Sequence, residues 1–158
     1  MIKQSELEEK HFTDTIFYQI ELTARYTKML GAQLFGKLGL GLTPEEFSTL
    51  DVLSCQESLC QRDLAKLILK DRANTGKLLD SLEAKGLIER NLAVKNNRPV
   101  KIVKMTKLGL EKKEEIYNRL QPHHFAVEER IKDSDLEKIG ELLKELRDVL
   151  EESMEIDI

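Results

Sequence analysis

Two cysteines, three histidines and one small, polar, cation-bearing run are the residues whose types and spacing bear on chemistry in this sequence. Cys60 falls where a helix is expected to begin, and free N–H groups at a helix start favour a thiolate. With Cys55 it forms a candidate redox pair whose closure would tilt the helix that follows. The alternative is an inert pair, Cys55 as a small buried apolar residue and Cys60 in place of a Ser or Thr cap. His11, His123 and His124 are the imidazoles available to a metal. Adjacent histidines on a helix diverge by about 100°, so His123 and His124 do not chelate one ion together, and no metal is assigned. The sequence has no Gly-rich phosphate loop, no His-Glu-x-x-His and no nucleophile elbow, so no catalytic residue and no cofactor is assigned.

The remaining candidate is the run Arg72, Ala73, Asn74, Thr75 and Lys77. Small residues let a helix approach a groove, while amides and cations meet base edges and phosphates. These residues need a helix to present them. The spacing predicts one from near Asp71, whose carboxylate can cap the first turn, to Gly86, a left-handed stop. Its other face, Leu78, Leu79, Leu82 and Ala84, is apolar. A shorter helix precedes it over about Gln61 to Leu69, buried through Leu64, Ala65, Leu67 and Ile68. Beyond Gly86 the period changes, and 87–94 and 100–105 read as two strands. Lys95 to Pro99 form the tip between them, with Lys95 and Arg98 as its cations and Lys101 just beyond. Helix, turn, helix and basic hairpin is the order of a winged helix-turn-helix.

Longer helices flank this cassette. Apolar residues from Phe12 to Leu38 lie near helical spacing and predict one long helix, ended by Gly36, Gly39 and Gly41. Thr43, Pro44 and Glu46 then read as cap, first position and capping-box acid of a helix to about Gln56. Thr106 caps a further helix towards Pro122, and helix resumes through Phe125, Val127 and Ile131 as a proline kink allows. Asp133 to Asp135 start the last helix, with Leu136, Ile139, Leu143, Leu146 and Leu150 in a heptad-like stripe.

The fold class expected is mainly α with a small β-hairpin wing. One domain, 1–158, is expected to hold a winged helix-turn-helix over 43–106 between dimerisation helices at 12–38 and 107–155. A length of 158 residues fits one domain. Charged residues between Met1 and Ile20 exclude the apolar core of a signal peptide, and no window has the roughly 18 apolar residues of a membrane span. A cytoplasmic chain with no membrane partner is expected.

The net charge of −4 argues against nucleic acid until it is sorted along the chain. Residues 1–59 carry a net −4, and residues 108–158 a net −7. Between them, residues 60–107 hold 12 basic and 5 acidic side chains, a net +7. The basic third is the cassette, so double-stranded DNA is the expected partner.

The run Leu78-Leu79-Asp80-Ser81-Leu82-Glu83-Ala84-Lys85-Gly86-Leu87-Ile88-Glu89-Arg90 resembles the recognition-helix exit of the multiple-antibiotic-resistance regulator (MarR) family. Met105-Thr106-Lys107-Leu108-Gly109 is similar to that family's entry into its fifth helix, and Gln61 to Ala65 to its supporting helix. The resemblance implies a homodimeric winged-helix repressor on a palindromic operator. It also implies release of DNA by a small phenolic ligand, a metal or an oxidant. Carried over by position, Arg72, Ala73, Asn74, Thr75 and Lys77 would face the major groove and Arg98 the minor groove. Three departures stand out: Lys77 where Arg is frequent, Gly76 where Thr or Ser is usual, and Asn97 where Asp commonly precedes the wing arginine. Lysine lacks the bidentate fork of arginine. The peroxide sensors of the family use a cysteine in the first helix, and none stands there.

The flanking helices admit two readings, a helical core within one chain or helices of two chains interleaved about a two-fold axis. The dimer doubles a small reading surface and is the expectation. A winged-helix protein-interaction module without specific DNA binding is the alternative function.

Overall fold

The computed structural model describes residues 11–154. Residues 1–10 and 155–158, which include the last residue of the expected C-terminal arm, lie outside them. The chain divides into two compact units after Pro44.

In the first unit the single long helix expected from Phe12 is broken near its start. A 3-10 turn covers Phe12–Asp14, and α1 runs Ile16–Leu38. Thr15 causes the break: it is extended, at ψ 152°, and its hydroxyl accepts from the Tyr18 N–H. Asp14 meanwhile accepts from the His11 N–H at 3.2 Å. Gly36 lies inside the last turns of α1, not at its end. Gly39 ends it, in the left-handed conformation at φ 57°, which an L side chain avoids.

The second unit begins within α2, Pro44–Ser54, at Glu45, and continues with β1, Leu59–Cys60, and α3, Gln61–Leu67. α4, Arg72–Ala84, is followed by β2, Ile88–Lys95, and β3, Arg98–Met105. α5, Lys107–Glu128, continues through Pro122, and α6 covers Asp133–Ser153. The sheet is antiparallel in the order β1-β3-β2. β1, two residues long, was not expected, because a pair this short leaves no alternation to read. Its Leu59 opposes Val103 and Cys60 opposes Ile102.

The wing differs from its expected five-residue tip. β2 and β3 pair without interruption from Ile88↔Met105 to Lys95↔Arg98. The turn is therefore only Asn96-Asn97, with φ of 53° and 57°. Two successive positive values fit a type I′ turn, whose twist matches that of a hairpin and which asparagine tolerates.

The core of this unit is a set of leucines at helical spacing. Leu50 and Leu53 from α2, Leu64 from α3, Leu79 and Leu82 from α4, Val103 from β3 and Ile116 from α5 are all but inaccessible. Each buried Leu or Val contributes about 1.5–3 kcal/mol. Leu69, in the turn between α3 and α4, is the reverse: exposed, and at φ 51°. Among the described residues no helix is long and apolar enough to cross a membrane.

Candidate nucleic-acid interface

α4 is held at both ends before it can present anything. At its start Asp71 accepts from the Asn74 N–H at 2.8 Å and from the Asn74 side-chain amide at 2.6 Å. These bonds, the backbone one foremost, hold the Asp71 carboxyl below its ordinary pKa. Towards its end, α4 is tied to α2 through Glu46, a buried carboxylate. Glu46 accepts from Ser81 Oγ at 2.6 Å and from Lys85 Nζ at 2.8 Å on both oxygens. Lys70, just before α4, reaches Glu45 at 2.8 Å. Two adjacent glutamates at the start of α2 thus hold residues on either side of the presented face.

The wing is fixed to α4 by Arg90. Its guanidinium donates to Glu83 at 2.5 and 3.1 Å and to Asp80 at 2.6 Å, and its backbone N–H donates to Glu83 at 3.2 Å. The side-chain bond from Arg90 lowers the Glu83 pKa, and the same bond raises that of Arg90. Arg90 is 14% exposed, so it serves as a clamp and not as a phosphate contact.

Between these anchors the structure brings together most of the expected residues. Arg72, Ala73, Asn74 and Lys77 are exposed on the first two turns of α4, and Lys95, Arg98 and Lys101 are exposed on the wing. Thr75 is a correction to the expected groove face: it is 0% exposed, because position 75 shares the buried side of α4 with Leu78, Leu79 and Leu82. Asn74 is exposed, but its amide is engaged with Asp71. Lys95 lies 3.8 Å from Asp63 of α3, a loose surface pair. Among the described residues Arg72, Lys77, Arg98 and Lys101 have no ion-pair partner, so their charges face solvent.

A cavity of about 750 Å³ opens between α3, the start of α4 and the wing, lined among others by Arg62, Arg72, Thr75, Arg98 and Lys101. Cys60 also lines it, half-buried, while Cys55 is exposed. Both thiols are free. Cys60 stands at the N-cap of α3, as a cap substitute would, but its side chain makes no cap bond; Cys55 is exposed rather than buried, with Sγ 3.6 Å from the Asp51 carbonyl oxygen. Gly76 has open space around it: a Cβ there would meet only the Gln61 amide, at 3.9 Å. Among the described residues no cluster of metal ligands occurs.

The Glu46, Ser81 and Lys85 network is not legible in the sequence because its members are 35 and 39 residues apart. Glu46 reads there only as a capping acid. Asp80, Glu83 and Arg90 do stand within the motif that resembles the family, but as pattern and not as a clamp.

The MarR family model matches residues 42–100. No curated protein sequence matches the chain. Among solved structures, a MarR-family transcriptional regulator from Rhodococcus sp. RHA1 superposes with a TM-score of 0.76 at 21% identity, over 87% of this chain and 95% of that one. A cysteine-to-serine mutant of MarR from E. coli, complexed with operator DNA, gives 0.74 at 22% identity, over 87% and 98%. The S. aureus MepR–DNA complex gives 0.71 at 22% identity, over 85% and 98%. At these identities the likeness establishes the fold, a winged helix with helical arms.

Proposed function

We propose that this chain, whose residues 42–100 carry the MarR-family domain, is a homodimeric, sequence-specific DNA-binding transcriptional regulator of the cytoplasm. It is a repressor on a palindromic operator rather than an enzyme. The observation that carries this reading is the pairing of two exposed cationic surfaces on one anchored frame. The N-terminal turns of α4 offer Arg72, Ala73 and Lys77, and the wing offers Arg98 and Lys101. A helix of this kind fits a major groove, and an arginine-tipped hairpin reaches the minor groove beside it.

The dimer is supported by apolar surface. In α6, Ile139, Leu142, Leu143, Val149 and Leu150 are between 37% and 58% exposed, and such a stripe on an isolated chain calls for a partner. In α1, Ile16, Phe17, Tyr26 and Met29 are exposed in the same way. Release by a small phenolic ligand or by an oxidant at Cys60 and Cys55 belongs to the same reading.

The test is operator binding by two variants. Arg72→Ala and Arg98→Ala are each expected to weaken binding to a duplex selected from a random pool by roughly 1–3 kcal/mol, the range of a good base-edge contact. Random duplex should compete poorly with the selected one. Wild-type affinity in both variants at matched salt would remove these residues from the interface. Equal competition by random duplex would favour an interaction module instead.

A further inference from the structure

The wing carries an apolar strip that the fold does not use. Leu92 and Val94 are 79% and 76% exposed, more than any other large hydrophobic residue described. Strand alternation places both on the face of β2 that also carries Ile88 and Arg90. Ile88 is buried, and Arg90 is bonded to Asp80 and Glu83 of α4. The strip therefore lies on the face turned towards the recognition helix, further out along the hairpin. Across the ladder Lys101 opposes Leu92 and Pro99 opposes Val94. Pairing is continuous to the two-residue turn, so the strip is held on a regular backbone.

The surroundings specify what covers it. No acidic residue occurs from Arg90 to Leu110, whereas Lys95, Arg98, Lys101, Lys104 and Lys107 all do. Lys101 stands beside the strip on its own face, Lys95 and Arg98 lie at the tip on the other face of the same hairpin, and the nearest carboxylates, Asp80 and Glu83, are already engaged by Arg90. An apolar strip on a hairpin of this charge fits a surface with anionic edges and apolar walls. The minor groove of a duplex is such a surface, with phosphates along its rims and deoxyribose between them, and apolar wing or wedge residues are a recurrent way to engage it. We infer that Leu92 and Val94, with Pro99, form an apolar wedge that packs against the deoxyribose walls of the minor groove. This rests on the DNA-binding reading above and adds to it a contact that neither charge nor base-edge hydrogen bonding supplies.

The test is the double variant Leu92→Thr with Val94→Thr, which keeps strand propensity while removing apolar surface. It is measured on the selected duplex in two lengths, with and without the flanking base pairs beneath the wing. The expected result is a loss of about 5- to 30-fold on the long duplex, as for partial burial of the two side chains, equivalent to one to three methylene groups removed from water. On the short duplex the variant should equal wild type. Because no phosphate contact is removed, the slope of log affinity against log salt is unchanged, whereas Arg98→Ala lowers it.

No loss on the long duplex, or an equal loss on both lengths, overturns the wedge. If thermal unfolding shows the double variant to be destabilised, Leu92→Thr alone is measured on the same two duplexes, where a loss confined to the long one supports the wedge and any other pattern overturns it. Deoxyribose is common to every sequence, so the long-duplex loss is also expected on random DNA. A wild type that does not prefer the selected duplex then removes the regulator reading, while the variant still decides the wedge. Anionic phospholipid vesicles that retain wild type but not the variant, with DNA affinity unchanged, would assign the strip to a lipid surface and overturn the proposal.

Discussion

Asp71 shows how one side chain sets up α4. Its carboxylate occupies the cap, and a cap of this kind can be read from the sequence because donor and acceptor are three residues apart. Its folded pKa lies below the ordinary 3.8, so its contribution to stability is fully present above pH 3.8 and is lost as pH falls through the lower folded value. Asp71→Asn caps comparably without titrating. Wild type is therefore expected to lose more stability than Asp71→Asn when denaturant titrations are taken from about pH 7 to about pH 2.5. Identical acid sensitivity in the two would contradict the assignment. Glu83 shifts in the same direction, but it is present in both proteins and cancels in the comparison. What is illegible at this scale is burial: Thr75 reads as a polar member of the presented face, and only the packing of α4 shows that position 75 belongs with the leucines. The Glu46 network is equally hidden, since a carboxylate three residues past Thr43 satisfies the pattern of a local cap whatever it bonds across the fold.

At the scale of elements, the order of the α-helices is readable, because leucine spacing and the signals at Asp71, Gly39 and Gly86 are local, but the 3-10 turn at Phe12–Asp14 is not. Boundaries move where a local bond outcompetes the periodic pattern, as at Thr15, or where no pattern is available, as in β1. The wing tip contracts from five residues to two because asparagine at positive φ closes a tighter turn than the composition of Lys95 to Pro99 implies. Gly109 explains a motif that sequence can only match. Thr106 donates to the Gly86 carbonyl at 2.7 Å and accepts from the Gly109 N–H at 3.0 Å, while its own N–H reaches the Leu87 carbonyl at 3.0 Å. A Cβ on Gly109 would stand 2.0 Å from the Leu87 oxygen and 2.8 Å from Met105 Cγ. The start of α5 docks on the base of the wing only because position 109 has no side chain. Gly109→Ala is expected to destabilise the protein by about 1–3 kcal/mol, the range for overpacking, with loss of operator binding as the wing shifts. Unchanged denaturation midpoint and slope would show that this junction yields freely.

For the whole molecule, the net charge is less informative than its distribution. The acidic ends total more negative charge than the basic centre offsets, and in the proposed complex they would help keep the helical arms away from DNA while the cassette is drawn to it. The arms also carry the surface that one chain leaves uncovered. Leu142→Glu with Val149→Glu places two charges seven residues apart on the α6 stripe, at positions 53% and 58% exposed, so the fold of the single chain should survive. Sedimentation is expected to show monomers with weakened operator affinity, and an intact dimer would remove α6 from the interface. Whether two copies read a two-fold symmetric site through α4 and the wing is decided by selecting duplexes from a random pool with wild-type protein and determining the footprint and stoichiometry on the winner. Inverted half-sites centred about 10 base pairs, one helical turn, or a multiple of that apart are expected, with two chains per duplex. A pool with no enriched motif, or a single unrepeated site bound by one chain, would contradict that symmetric reading.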